Sequence, residues 1–154
     1  MTTDIIEQDT TDAAPRGGRP REERAEDFSA VRAARKSEIV EDYVELIADL
    51  IAETGEARPV DIAHRMGVTP PTVAKNLARL QREGLIRREP YRSLFLTPAG
   101  EELARACSMR HGIVVAFLVK LGLDAATAEQ DAEGIEHHVS DRTLEVFRRF
   151  IGQA

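Results

Sequence analysis

The chain has one cysteine, Cys107, so an intramolecular disulfide is excluded, and a lone thiol suits a reducing compartment. It has no apolar run near the roughly 20 residues that a membrane-spanning helix needs. No apolar stretch follows the acidic, Thr-rich N-terminus, so nothing marks it for secretion. A cytoplasmic protein without membrane contact is expected. The chain also lacks net positive charge: 21 Lys and Arg stand against 27 Asp and Glu, a balance of −6 that argues against a uniformly basic nucleic-acid binder. No internal repeat is present. What remains is 154 residues, 42% hydrophobic and 31% charged, which suits one compact domain or two small ones around shared packing.

The charge is unevenly spread. Between Arg58 and Arg92 there are eight basic residues and three acidic ones, so that stretch carries +5 and the rest of the chain −11. Such asymmetry suits a protein with one polyanion-binding face and a different chemistry elsewhere. Residues 1–26 are poor in apolar side chains and contain Pro15-Arg16-Gly17-Gly18-Arg19-Pro20, which predicts a disordered tail.

From about Asp27 to Glu53 the pattern becomes helical: Ile39, Tyr43, Leu46, Ile47 and Leu50 recur at helical spacing, and Gly55 follows as a stop. A short helix over Asp61–Gly67 comes next. Thr69-Pro70-Pro71 opens another, with Thr69 placed to cap it and the prolines in a first turn whose N–H groups have no helical partners. Leu85-Ile86 and Leu94-Phe95-Leu96 flank a turn-like stretch with Pro90 and Tyr91, which predicts a hairpin. Thr97-Pro98 restarts a helix that stops near Gly122, and two more are predicted over about Ala125–His138 and Asp141–Phe150, the last capped by Ser140. The fold is therefore expected to be mainly α, with one hairpin.

Helix, glycine turn, helix and basic hairpin is the order of a winged helix-turn-helix. In the second helix Val73, Leu77 and Leu80 sit at i, i+4 and i+7 and face the core. Thr72, Lys75, Asn76 and Arg79 are placed on the opposite stripe, able to reach base edges and phosphates of double-stranded DNA. Arg87, Arg88 and Arg92 put charge on the wing.

A second constellation is acidic. In Asp131-Ala-Glu133-Gly-Ile-Glu136-His137-His138, Glu133, Glu136 and His137 fall at i, i+3 and i+4, so two carboxylates and an imidazole share one helix face. Asp42 and Glu45 share a face of the first long helix at i and i+3, and His111 stands alone four residues after Cys107. Oxygen donors with one or two nitrogens suit a hard-to-borderline divalent ion. Read alone, each group serves equally as a solvated acidic surface, and the spacing leaves both open.

The strings Glu-Asp42-Tyr-Val-Glu45-Leu-Ile, Asp61-Ile-Ala, Val73-Ala-Lys75, Leu96-Thr97-Pro-Ala-Gly-Glu, Arg110-His111 and Asp131-Ala-Glu-Gly-Ile-Glu-His-His138 carry a resemblance. From about Arg32 to Phe150 the chain resembles the manganese transport regulators within the diphtheria-toxin-repressor family of metal-dependent repressors. The resemblance implies that Asp42, Glu45, His111, Glu133, Glu136 and His137 hold two manganese ions per chain, with Glu133 and Glu136 bridging. It also implies a homodimer built on the C-terminal helices, a palindromic operator, and repression of manganese-uptake genes. Iron-responsive relatives carry Met where Asp42 stands and Cys where Glu133 stands, so the oxygen donors here favour manganese. Those relatives add an SH3-like domain after the helical one, which a chain ending at Ala154 is expected to lack.

The organisation implied is a disordered tail over 1–26, a winged helix-turn-helix domain with a long first helix over 27–98, and a helical metal-binding and dimerisation domain over 99–154. An enzyme is not expected. Paired carboxylates with histidine also build di-metal hydrolytic centres, but such a centre would leave the basic winged helix without a role. A small organic ligand is not expected either, and a thiol sensor at Cys107 lacks a closely flanking cationic environment beyond Arg105, Arg110 and His111.

Overall fold

The apolar residues of the first half keep helical spacing up to Gly55, and the backbone follows them. In the computed structural model, which describes the backbone of residues 21–89 and 93–152 and the side chains of residues 28, 29, 31–89 and 93–152, helix α1 runs Arg21–Thr54. It begins six residues before the start expected at Asp27. Residues 21–26 are Arg, Glu and Ala, all strong helix formers, and their low apolar content, which marked them as tail, does not bear on helix propensity. The rest of the expected tail, residues 1–20, lies outside the described residues, as does Arg92, expected on the wing.

Helix α2 (Pro59–Met66) ends at Gly67 in the left-handed region, φ 64°, where the missing Cβ removes the steric penalty. Helix α3 (Pro70–Arg82) begins with its two prolines, but Thr69 does not cap it as expected. The Thr69 hydroxyl pairs with that of Thr72 at 3.0 Å rather than accepting from a backbone N–H. Strands β1 (Ile86–Arg88) and β2 (Leu94–Leu96) pair antiparallel with Ile86 opposite Leu96 and Arg88 opposite Leu94. The Leu94 N–H also donates to the Ala57 carbonyl at 2.9 Å, tying the hairpin to the loop before α2. The predicted wing is present.

Three helices follow: α4 (Pro98–Lys120), α5 (Ala125–Ile135) and α6 (Asp141–Ile151). Thr97 and Ser140 cap α4 and α6 as expected, accepting from the N–H groups of Gly100 and Thr143, both at 3.2 Å. Helix α5 stops three residues before the predicted His138. The His138 N–H donates to the Ile135 carbonyl at 3.0 Å, a tightened turn, and the Glu136 carbonyl is taken by the Arg110 guanidinium rather than by a further helical turn.

Two apolar cores result. The first gathers Tyr43, Val44 and Ile47 of α1 with Ile62, Val73, Leu77, Leu80, Ile86 and Leu94, and defines the winged helix-turn-helix. The second joins Ile113 and Val114 of α4 with Ala132 of α5 and Leu144 of α6. Helix α4 belongs to both, through Ala104 at one end and Val114 further along. Phe117 stacks on Phe147 with ring centroids 3.8 Å apart and meets Phe150 edge-on at 5.4 Å.

The join between wing and α4 depends on Gly100, which is buried. A Cβ there would sit 2.1 Å from the Leu85 carbonyl oxygen, and backbone cannot retreat as a flexible side chain would. Gly100→Ala is therefore expected to destabilise the fold by about 1–3 kcal/mol or more, as overpacking does. Chemical denaturation checks this; an unchanged midpoint and slope would show that the α4 N-terminus is free to move away from the wing.

Candidate metal centre and nucleic-acid interface

Helix periodicity sets the α1 contribution. The first core takes Val40, Tyr43, Val44 and Ile47, which leaves Asp42 and Glu45, one turn apart, on the adjoining side. His111 comes from α4, Glu133 from α5, and Glu136 and His137 from the C-cap of α5 and the turn after it. The structure brings all six predicted ligands together as two groups of three. Asp42, Glu45 and His137 form one, His111, Glu133 and Glu136 the other, and within each the donor atoms lie within 4.8 Å of one another. Asp42, Glu45, His111, Glu133 and Glu136 line a cleft of about 610 Å³.

Glu136 links the groups. Its side chain is 2% exposed, with Oε2 2.7 Å from His111 Nδ1 and Oε1 3.3 Å from His137 Nε2. Asp42 Oδ1 lies 3.2 Å from His137 Nε2. Glu133, by contrast, is 73% exposed and stands 3.9 Å from His111 Nδ1. The expectation that both glutamates bridge therefore finds unequal geometry.

Crowding shows in the proton affinities. Burial, then the Glu136 carboxylate, pushes Glu45 up to about 7. Burial also raises Asp42 and Glu136, the latter against the lowering influence of both histidines. For His111 and His137 burial acts downward, but carboxylate neighbours outweigh it and both are raised. Four carboxylates and two imidazoles in this space fit a divalent cation of hard-to-borderline character, whose charge would favour the ionised carboxylates that burial first, and neighbouring carboxylates second, now disfavour.

Three residues around the site were missed by sequence reasoning. Glu41, 8% exposed, accepts from His137 Nδ1 at 2.7 Å and from the Ser37 hydroxyl at 2.9 Å. Glu129 meets His111 Nε2 at 2.7 Å, and Arg110 donates to the Glu136 carbonyl. Nothing in local spacing distinguishes Glu41 from a surface acid, because its partner is 96 residues away. Cys107 is buried, and burial followed by Glu45 pushes its thiol up to about 12, which leaves no thiolate for sensing near neutral pH.

On α3, Thr72 and Lys75 are exposed as expected. Asn76 and Arg79 differ. Asn76 is half-buried and donates to the Tyr43 hydroxyl at 3.1 Å. Arg79 bonds Glu83 at 2.7 Å and the Lys36 carbonyl at 3.2 Å. At about 100° per residue, Asn76 precedes buried Leu77 by one step and so lies on the flank of the core stripe rather than opposite it. Arg82, exposed and two turns beyond Lys75, shares the outward face and was overlooked. Arg87 and Arg88 are exposed on β1, Arg87 over the Phe95 ring at 5.8 Å.

Known proteins match this chain in sequence and in fold. The iron dependent repressor N-terminal DNA binding domain matches residues 37–94, and the iron dependent repressor metal binding and dimerisation domain matches residues 97–154. The transcriptional regulator MntR of Escherichia coli O6:H1 is 55% identical over 129 residues, covering 84% of this chain and 83% of that protein. The chain belongs to the MntR regulators of the iron dependent repressor family. A second member, the HTH-type transcriptional regulator MntR of Lysinibacillus sphaericus, is 41% identical over 69% of this chain and 76% of its own length. Among solved structures, a manganese-dependent transcriptional repressor in complex with manganese superposes with a TM-score of 0.66 at 28% identity, covering 75% of this chain. The chain spans about half, 53%, of that longer repressor.

The raised proton affinities all act in one direction on the metal-free fold. A group whose folded pKa lies above its unfolded value contributes stability that is full below the unfolded pKa and lost as pH rises through the folded one. For Glu45 the loss runs from 4.5 to about 7, and the two histidines extend it above 6.5. Metal-free protein is thus expected to melt at lower temperature at pH 8 than at pH 5, with Glu45→Gln flattening the slope. Thermal melts in chelator across that range provide the check, and a melting temperature that rises with pH would contradict the crowding described.

Proposed function

We propose that this chain is a manganese-dependent DNA-binding transcriptional repressor that controls manganese-uptake genes. It acts as a homodimer on a palindromic double-stranded operator and takes two manganese ions per chain at Asp42, Glu45, His111, Glu133, Glu136 and His137. One observation carries the reading: Glu136, buried, faces a histidine of each donor group with a different oxygen, so one carboxylate would hold an ion in either group. The likeness to a manganese-dependent transcriptional repressor solved with manganese supports the choice of ion. So do the oxygen donors Asp42 and Glu133, where softer sulfur would favour iron or cobalt. The organisation is read as a tail ahead of α1, which begins at Arg21 rather than after residue 26, then a DNA-binding domain to residue 98 and a metal-binding and dimerisation domain over 99–154, the last two in keeping with the families matched over 37–94 and 97–154.

The mechanism follows from α1. When bound, two divalent ions supply four positive charges against four carboxylates. Asp42 and Glu45 then hold α1 against His111 of α4 and the turn after α5. The same helix touches the reading helix directly, through Tyr43 to Asn76 and through the Lys36 carbonyl to Arg79. Fixing α1 therefore fixes α3, and the spacing of two α3 helices in a dimer selects the half-site separation. Metal and DNA favour the same arrangement, so each strengthens binding of the other. Thr72, Lys75 and Arg79 of α3 and Arg87, Arg88 and Arg92 of the wing face DNA in this reading, with Asn76 acting on the reading helix through Tyr43. The dimer surface is assigned to the C-terminal helices, where Val119, Leu121, Val146 and Phe150 are exposed apolar side chains.

The test is binding to DNA from upstream of manganese-transporter genes, with and without manganese. Manganese-dependent footprints on paired, symmetric half-sites are expected. Lys75→Ala should weaken operator binding, reduce the salt slope by about one if a phosphate contact is lost, and leave manganese stoichiometry unchanged. Metal-insensitive DNA binding by wild type would reject the reading.

The shared carboxylate has its own consequence. Glu136→Ala is expected to abolish tight binding of both ions, whereas Glu133→Ala, removing the exposed ligand, should leave one ion bound. Calorimetric titration distinguishes them; two full-affinity ions in Glu136→Ala would remove Glu136 from the bridging role.

A further inference from the structure

Each histidine of the site has two ring nitrogens engaged, and in each case one faces the donor cluster and the other a carboxylate outside it. His137 turns Nε2 toward Asp42 and Glu136, at 3.2 and 3.3 Å, and Nδ1 toward Glu41 at 2.7 Å. His111 turns Nδ1 toward Glu136 and Nε2 toward Glu129, both at 2.7 Å. An imidazole that ligates through one nitrogen carries its remaining proton on the other, and the acceptor of that proton decides which nitrogen is free.

The two outer carboxylates are not equivalent. Glu41 is 10% exposed in its side chain, and its Oε1 is held by the Ser37 hydroxyl at 2.9 Å while Oε2 meets His137. Arg110 lies behind it, with NH1 4.0 Å from Glu41 Oε2 and NH2 donating to the carbonyl of Glu136. The Arg110 Nε atom is buried without a partner, so the guanidinium is kept there by these two contacts rather than by a full set of its own. Glu129 is 60% exposed, where water competes for the same imidazole proton.

We propose that Glu41, braced by Arg110, is a positioning residue that commits His137 to bind metal through Nε2 and so determines the affinity of the ion held by Asp42, Glu45 and His137. The bond joins α1 to the turn after α5 even without metal, because neither partner in it is a ligand oxygen of the site. Arg110 extends the effect: by holding the Glu136 carbonyl it sets the turn that carries both Glu136 and His137. Glu129 has the same geometry but a solvated position, and it serves as the internal comparison.

This inference rests on the six-ligand reading above, and its test separates the two. Manganese binding to wild type, Glu41→Gln, Glu41→Asp and Glu129→Gln is followed by calorimetry and by the electron paramagnetic resonance signal of free manganese, with metal-free melting temperatures as the folding control. Glu41→Gln preserves shape and an oxygen acceptor but removes the charge. It is expected to weaken one of the two ions by about 10- to 100-fold while the other stays within about threefold. Glu129→Gln should leave both within about threefold. A merely structural role would not alter ring-nitrogen chemistry, so long-range proton–nitrogen NMR with diamagnetic cadmium in place of manganese supplies the second readout. In wild type His137 is expected to show a protonated Nδ1 and a metal-bound Nε2, with that pattern broadened or mixed in Glu41→Gln and restored in part in Glu41→Asp. Failure of wild type itself to bind manganese would remove the site reading. Wild-type binding with an unchanged affinity and unchanged His137 pattern in Glu41→Gln would overturn the role of Glu41 alone.

Discussion

Burial of carboxylates that the fold forces together, with their mutual repulsion added to it, is the constraint on which the rest depends. Asp42 and Glu45 belong to a helix whose other face is the core of the winged helix-turn-helix, so they cannot turn away without disturbing Tyr43, Val44 and Ile47. Glu136 is buried at the end of α5, and its position is set by Arg110 and by the second core beneath it. The cost is visible in Glu45, whose carboxyl is pushed up to about 7 by burial and, after it, by the Glu136 carboxylate. A site of this kind is strained toward accepting cations, and the strain is distributed over the helices that the cation would join.

That distribution explains why α1 is long and shared. Its middle carries Asp42 and Glu45 of the proposed site, its inner face supplies the first core, and its Tyr43 hydroxyl and Lys36 carbonyl hold side chains of α3. A local change in charge at Asp42 and Glu45 therefore has a direct mechanical route to α3, through packed side chains and two hydrogen bonds. Helix α4 plays the corresponding part on the other side, with Gly100 pressed against the wing and His111 in the site.

The outer polar groups complete the design. Imidazoles are ambiguous ligands because either nitrogen can bind, and Glu41 and Glu129 each occupy one nitrogen of a different histidine. The buried one is supported by Ser37 and Arg110, the exposed one by solvent, and this difference in environment matters more than the identical 2.7 Å distances.

The sequence by itself determined what short-range periodicity can determine. Hydrophobic spacing located the helices and the two-strand wing, proline and glycine marked their ends, and i, i+3 spacing placed Asp42 beside Glu45; the helical face expected for Glu133, Glu136 and His137 is divided, because α5 ends at Ile135 and His137 joins Asp42 and Glu45. The resemblance then joined those fragments with His111. Only the tertiary structure decided the remainder. It turned Asn76 to Tyr43, because a flank position on a helix goes to whichever neighbour offers a partner. It gave Glu136 a stronger linking position than Glu133, because one is buried between two helices and the other faces solvent. It drew Glu41 to a histidine 96 residues away, a contact that no local pattern encodes, since the pairing is made by the packing of α1 against the turn after α5 and not by either segment alone.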